Sequence, residues 1–445
     1  MDNKSSTKEL KKVLSFTDLF STAVGQIIGA GIMTLLGATI AMTGRSVPIA
    51  FLVAAVLVIL SIIPVVIIAG TVRVRGGQYT MTALLCAEKF AGIFVLLFIA
   101  SNIAIAMYGI SFANYFIPFF GFGTTKVVAL SVLTVFYILN FLGVDKMAKF
   151  QNLIVICMCI ALGLFAAFGI GKVSPDYLTQ DFLTDGLLGL MKASGILTFA
   201  VGGGSVIVNL SAESKNPTRD IPLAIIVSTL TVAVLYGFVS VVAAGVLPVP
   251  EVAGQPLNLV AERVLPKAVY VFFMVFGAMF ALISTINAQF AWSTKPIMQA
   301  CDDGWLPSKL AYLHPKYKTP VILLSIMYGL AVICILFGLD ISVLGNISLI
   351  ATNLLFLMIN MYLWKLPKLA PDEWEDSKFK IPQSAMPVVV VLCSLAAALS
   401  VYLNAIQLST GYIIGNGILI AVSYIFAVVR IKSGKVKMQI SYEKD

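Results

Sequence analysis

Charge and histidine are what this chain has least of. Only 11% of its 445 residues are Asp, Glu, Lys or Arg, against roughly 25% in a soluble globular domain. There is a single histidine, His314, in a polar loop; that excludes a histidine metal cluster and a histidine-centred catalytic relay. The apolar stretches are almost free of carboxylates, so convergent acid–base chemistry has no material there. Six cysteines, Cys86, Cys157, Cys159, Cys301, Cys334 and Cys393, are scattered inside or beside apolar runs. The Cys157/Cys159 spacing is too tight for a zinc or redox C-x-x-C motif, and all six read as small buried hydrophobes. No cofactor and no metal is expected, nor is enzymatic activity. The N-terminal segment shows no short apolar core followed by a small-residue cleavage site, so no signal peptide is expected.

What is there is hydrophobic length. Residues of the AVILMFWYC set make up 59% of the chain, and runs of about 20 apolar residues, enough to cross about 30 Å of hydrocarbon, recur along it. The expected fold class is an all-α integral membrane protein of twelve transmembrane helices. They fall at 15–44, 48–70, 83–118, 126–143, 149–171, 187–213, 220–246, 267–300, 320–338, 341–364, 385–407 and 409–430. The third and eighth are long enough to tilt strongly. Gly171 to Asp185 and Pro248 to Lys267 are expected to hold interfacial helices. Positive charge sets the orientation: 24 of the 30 Lys and Arg residues, from Lys4 to Lys444, collect on one side. Only Arg45, Lys126, Lys172, Lys192, Arg263 and Lys267 fall on the other. Both termini are therefore expected in the cytoplasm, and the net charge of +9 is topology rather than a nucleic-acid footprint.

Two apolar spans are broken by glycine. One reads Gly25-Gln26-Ile27-Ile28-Gly29-Ala30-Gly31, the other Ala200-Val201-Gly202-Gly203-Gly204. A helix in hydrocarbon cannot leave backbone groups unpaired unless protein or a water-filled cavity surrounds them. Spans one to five and six to ten each begin with such a break, and an odd number of spans per half inverts the second half relative to the first. That arrangement belongs to carriers with a midplane site between repeats. Close helix packing is the alternative: Gly25/Gly29 has the spacing of a packing face, whereas three consecutive glycines fit one poorly.

At these residues the chain resembles the amino acid–polyamine–organocation superfamily of permeases, with its LeuT-type five-plus-five fold. The first signature is Val24-Gly25-Gln26-Ile27-Ile28-Gly29-Ala30-Gly31-Ile32. Gly76-Gly77-Gln78-Tyr79 follows the second span, and Phe199-Ala200-Val201-Gly202-Gly203 lies in the sixth. Glu213 through Pro222 (ESKNPTRDIP) forms its exit, and Asp302-Asp303-Gly304-Trp305-Leu306-Pro307 follows the eighth. Within the superfamily the chain looks most like L-type amino acid transporters and their bacterial alanine/serine/cysteine exchanger relatives. The resemblance implies a twelve-helix, five-plus-five inverted repeat, with helices 1 and 6 unwound at the midplane. The parts are a cytoplasmic N-terminal tail (1–14), a first repeat (15–171), a second repeat (172–364), helices 11 and 12 (365–430) and a cytoplasmic C-terminal tail (431–445). The loop Phe120 to Lys126 has no cysteine, so a disulfide-linked heavy chain is not expected.

An α-amino acid brings a carboxylate and an ammonium. Unwinding the first span frees N–H groups at the positive end of a helix dipole, and by sequence match Gly29, Ala30 and Gly31 offer them to the carboxylate. Carbonyls of Ile27, Phe199, Ala200 and Gly202 are expected to receive the amine. Phe199 is the expected aromatic cover of a side-chain pocket that includes Gly203 and Gly204, with Ile103, Met107, Tyr236 and Asn287 as further lining candidates. The lack of an intramembrane Asp or Glu argues against cationic substrates. Small neutral amino acids of the alanine, serine and cysteine class fit best, and sodium-independent antiport is the favoured coupling. A proton- or sodium-coupled symporter and a transporter-like receptor are the alternatives. Ser284 and Thr285 are the hydroxyls a sodium ion would use. A channel would need a continuous polar pore in place of two isolated breaks. The expected partners are neutral amino acids and membrane lipid, without nucleic acid, in a monomer or homodimer. The expected location is a bacterial cell membrane.

Overall fold

The computed structural model describes residues 6–438 and 442–443; Lys4 and Lys444 lie outside them, as do the first five residues of the N-terminal tail and parts of the C-terminal one. The chain is helical nearly throughout. Ser15 opens α1 (Phe16–Ile27) with a reciprocal cap: its hydroxyl accepts from Asp18 N–H while Asp18 accepts from Ser15 N–H. This pairs two of the donors that a helix start leaves orphaned. A π turn at Gly31–Leu35 leads into α2 (Leu36–Thr43), and α3 (Val47–Thr71) returns. Next come α4 (Gln78–Leu85), α5 (Glu88–Ser101), α6 (Ala104–Phe120), α7 (Thr125–Phe141) and α8 (Val144–Ile170). The sixth span is α9 (Gly186–Val201) plus a 3-10 helix, Gly204–Glu213, and α10 (Pro217–Gly245) follows it. Two short helices, α11 (Val249–Val252) and α12 (Asn258–Val264), precede α13 (Lys267–Phe272), a π segment Phe273–Met279, α14 (Phe280–Trp292) and α15 (Lys295–Asp302). The chain closes with α16 (Val321–Phe337), α17 (Ile341–Tyr362), α18 (Leu366–Leu369), α19 (Pro371–Asp376), α20 (Met386–Ala405) and α21 (Thr410–Lys432). Among the described residues, nine helical stretches are long and apolar enough to cross a membrane. The first of them, Phe16–Thr71, contains both α1–α2 and α3, and two shorter apolar helices, α7 and α16, add to the nine.

Three expectations need correction. Residues 171–185 form turns, not an interfacial helix. Their backbone groups are tied to neighbouring segments, with Ser174 N–H on Gly245 O at 2.8 Å and Arg45 N–H on Asp181 O at 2.9 Å. The third span is not continuous: it turns at Asn102–Ile103, where the Asn102 amide donates to Phe98 O at 2.7 Å, a local bond of the kind that competes with a regular helix. The eighth is likewise interrupted, by the π segment and by a turn at Ser293–Thr294. Among the described residues one strand pair forms: β1 (Arg73–Val74) with β2 (Tyr442–Glu443), antiparallel, which brings the C-terminal segment to the α3–α4 loop.

Burial follows lipid and protein faces. α21 buries only 11% of its most apolar stretch, and Ile414, Ile418, Ile425 and Val429 face outward from it. The lysine-rich end is knit by the signature residues themselves. Gly77 sits at φ +56°, and the Gln78 N–H after it donates to Asn209 Oδ1 at 2.9 Å. Tyr79 donates to Asp303 at 2.7 Å; burial first, and Asp303 second, hold its phenol well above the usual range. Trp305 is fully buried where a side chain on Gly92 would overlap it. Lys295 and Glu213 make a buried ion pair at 3.0 Å, so Glu213 is packed in the protein interior. Glu88, at the start of α5, is exposed.

Two outcomes check this packing. Gly77→Ala places a Cβ in a left-handed position against Asn209 and costs about 1–3 kcal/mol, read as a lower unfolding midpoint in detergent. Removing Lys295 alone strands a buried carboxylate and costs about 3–5 kcal/mol. Lys295→Met with Glu213→Leu recovers most of that loss in a double-mutant cycle of thermal stability.

Candidate functional site

The two breaks meet. At the first, α1 ends at Ile28, whose backbone is extended at ψ 101°. Ile28 N–H still reaches back to Val24 O at 2.8 Å, but Gly29 and Ala30 donate to no backbone carbonyl among the described residues. No side chain caps the π turn that follows. At the second, Gly202 N–H closes on Thr198 O at 2.9 Å, and Gly203 turns the chain with φ +103°. Gly203 N–H likewise has no backbone acceptor among the described residues. A Cβ on Gly203 would lie 3.1 Å from Gln26 Cγ, and one on Gly204 3.2 Å from Ile27 Cδ1. One on Gly31 would overlap Ala200. Residue numbers rise along one break as they fall along the other, so the two segments cross antiparallel.

Beside this crossing lies a cavity of about 90 Å³, lined from α1, α3, α5, α6, α9, α14 and α17. No Asp, Glu, Lys or Arg lines it. Phe199, Gly202 and Gly203 are on its wall, and the Phe199 ring lies 6.0 Å from that of Tyr108. Gln26, the residue before the first break, faces it as well and is held on three sides. Its amide donates to Gln289 Oε1 at 2.9 Å and lies 3.5 Å from the Tyr108 hydroxyl, and its carbonyl oxygen accepts from Trp292 Nε1 at 3.0 Å. Gln289 in turn donates to Asn102 Oδ1 at 2.8 Å. This chain of neutral side chains satisfies every link from a neighbouring helix, which is what buried polar groups away from water require.

The other expected residues pack behind the cavity. The Ile27 carbonyl accepts from the Tyr236 hydroxyl at 3.0 Å, which leaves one of its two lone pairs. Tyr236 is fully buried, its ring 5.4 Å from Phe51. Ala200 stands behind Gly31, and Gly204 faces Thr229 and Ser228 rather than the cavity. Met107 is fully buried with its sulfur toward Gly345, and Ile103 is half-buried in the turn between α5 and α6. Asn287 belongs to a second amide chain: it accepts from Asn140 at 2.9 Å and donates to Gln151 at 3.0 Å. None of Ile103, Met107, Tyr236 and Asn287 lines the cavity; helical spacing cannot tell a cavity-facing side from a helix-facing one. Gly29 and Gly31 serve packing at least as much as ligand access, since a Cβ at Gly29 would strike Thr285.

Sequence reasoning missed Gln26, Tyr108, Gln289 and Trp292, and with them Ser348, Thr352 and Asn353 of α17. Gln26 stood inside the first glycine signature, and its polarity in an apolar run was the available signal. The hydroxyls that a cation would use are also placed. Thr285 Oγ1 lies 2.9 Å from Gly25 O, 3.2 Å from Ile28 O and 3.0 Å from Ala281 O. Ser284 Oγ accepts from the Gln151 amide at 2.6 Å.

Helices broken at mid-length around a small uncharged cavity, in a chain of many membrane-length spans, define a membrane solute carrier rather than an enzyme or a pore. Residues 14–429 match the family described as amino acid permease, and the chain belongs to that family, within the superfamily its signatures resemble. A branched-chain amino acid permease of Bacillus subtilis is 28% identical over 72% of this chain and 73% of its own length. A methylthioribose transporter of the same organism is 26% identical over 87% of each. A vacuolar cationic amino acid transporter of Arabidopsis thaliana is 26% identical over 82% of this chain and 64% of its own length.

Gly203→Ala tests the crossing itself. It puts a Cβ in the left-handed region and against Gln26, so amino acid binding measured by ligand-induced thermal stabilisation should fall at least tenfold. Ile103→Val, away from the cavity, should leave binding within twofold.

Proposed function

We propose that this permease exchanges small neutral L-amino acids, of the alanine, serine and cysteine class, by alternating access and without sodium. The observation that carries the proposal is the uncharged cavity against two antiparallel helix breaks. Backbone N–H groups at Gly29 and Ala30, which donate to no backbone carbonyl among the described residues, with Gly31 beside them, take the carboxylate at the positive end of the following helical segment. Carbonyls of Ile27, Phe199, Ala200 and Gly202 take the ammonium, and Phe199 closes over the side chain with Gly203 below it. Such a site selects the head group through main chain and leaves size to the cavity. A cationic side chain would find no carboxylate there, and its charge would stay buried and unpaired. Residues 15–171 and 172–364 act as the two inverted five-helix repeats of a twelve-span protein, and rocking one against the other exposes the site to either side. The lysine-rich end, with both chain termini, faces the cytoplasm of a bacterial cell.

The same geometry bears on coupling. Thr285, Ser284 and the carbonyls of Gly25, Ile28 and Ala281 would make an oxygen cage for sodium, which favours sodium symport as the second reading. Against it, the uncharged Gln151 amide donates into this cluster at Ser284 and lies where a Cβ on Gly25 would be. A donor in that position fills space that a cation would need.

Purified protein in liposomes preloaded with alanine or serine should take up labelled alanine, with choline replacing sodium changing the rate less than twofold. No uptake with any neutral amino acid inside would end the exchange proposal. Uptake only under an inward sodium or proton gradient would replace exchange by symport.

A further inference from the structure

We infer that α17 reads the substrate side chain through hydrogen-bond acceptors, so that hydroxyl and carboxamide amino acids are preferred over aliphatic ones of the same size. The inference rests on the proposed amino acid site and sharpens its substrate class. Ser348, Leu349, Thr352, Asn353 and Phe356 line the cavity, and their three- and four-residue spacing places them on one face of the helix. That wall carries more polar groups than a pocket for an aliphatic side chain needs.

What decides the preference is where the hydrogens already go. Ser348 donates to Ser101 O at 2.6 Å, Ser101 to Phe98 O at 2.8 Å, and Ser61 to Leu57 O at 2.8 Å. Each hydroxyl has spent its single proton on a backbone carbonyl and keeps only acceptor capacity. Asn353 donates one N–H to Leu349 O at 2.9 Å, while its carbonyl oxygen has no partner among the described residues. Thr352 is half-buried on the cavity wall, with no hydrogen-bond partner among the described residues. On the far side, the Gln26–Gln289–Trp292 chain is satisfied within itself. The cavity therefore offers these acceptors, together with the hydroxyls of Ser205, Tyr108 and Thr352, whose protons go to no partner among the described residues, and no charge.

A ligand side chain that donates a hydrogen bond replaces the water these groups hold in the empty site. An aliphatic one of equal volume displaces that water and returns nothing, and the buried acceptors are left unpaired. The discriminating comparisons are therefore pairs matched in size: serine with alanine, threonine with valine, asparagine with leucine.

The test is ligand-induced thermal stabilisation of the full-length protein in detergent with these six amino acids, repeated as competition for counterflow in liposomes. The polar member of each pair should bind about tenfold more tightly, the scale of one neutral hydrogen bond whose loss leaves a partner unpaired. Thr352→Val should bring threonine and valine to within twofold of each other, while Thr352→Ser should keep the preference. Equal or tighter binding of the aliphatic members overturns the inference, as does a preference that Thr352→Val leaves intact. Discriminating binding without counterflow would sink exchange and keep this inference. Counterflow that treats valine and threonine alike would do the reverse.

Discussion

Everything at the centre of this protein depends on backbone hydrogen bonds given up in a place without water. Two helices break at mid-length, and each break strands peptide groups that hydrocarbon could not tolerate. The fold resolves this by laying the breaks against each other, antiparallel, with Gly31 against Ala200 and Gly203 against Gln26. Only residues without a Cβ permit that approach, and Gly203 also adopts a left-handed backbone that favours glycine. The crossing then lies beside a cavity lined by Gln26, Gly202 and Gly203 instead of against lipid.

The surroundings solve a second problem with neutral amides. Gln26, Asn102, Gln289 and Trp292 link three spans in one chain of bonds, and Asn140, Gln151, Ser284 and Asn287 link others in a second. Uncharged groups carry a smaller desolvation cost than ions and, when fully paired, hold helices in one register. At the lysine-rich end Lys295 and Glu213 pair in the interior. There the chain's two ends also converge: Val13 and Leu14 N–H groups donate to Glu213 O, and β2 pairs with β1. The opposite end is held by bonds to main-chain carbonyls, with Gly254 N–H on Gly37 O at 2.8 Å and the Tyr115 hydroxyl on Met33 O.

Much of the fold was legible because lipid imposes so simple a rule on sequence. The helices follow the apolar runs closely, as at α3 (expected 48–70, found Val47–Thr71) and α21 (expected 409–430, found Thr410–Lys432). Both glycine breaks lie where three consecutive glycines and the Gly25–Gly31 signature put them. The turn at Asn102 and the non-helical 171–185 stretch were not legible, since each rests on hydrogen bonds to specific partners. Of the expected site residues, Phe199, Gly202 and Gly203 face the cavity, whereas Met107, Tyr236 and Asn287 face other helices.

By itself the sequence determined that this is a helical membrane protein with two interrupted spans, few interior charges and the signatures of an amino acid permease. Those properties come from composition and local chain chemistry, which each segment carries wherever it is placed. Tertiary structure alone decided which atoms share the cavity. In an apolar helix every face is hydrophobic, so amphipathic periodicity carries little information about which side meets lipid, protein or ligand. Gln26 met Gln289 and Trp292, and α17 brought Thr352 and Asn353 to the same space, because distant segments packed that way. The two helix breaks were written locally; the cavity wall was assembled from across the chain.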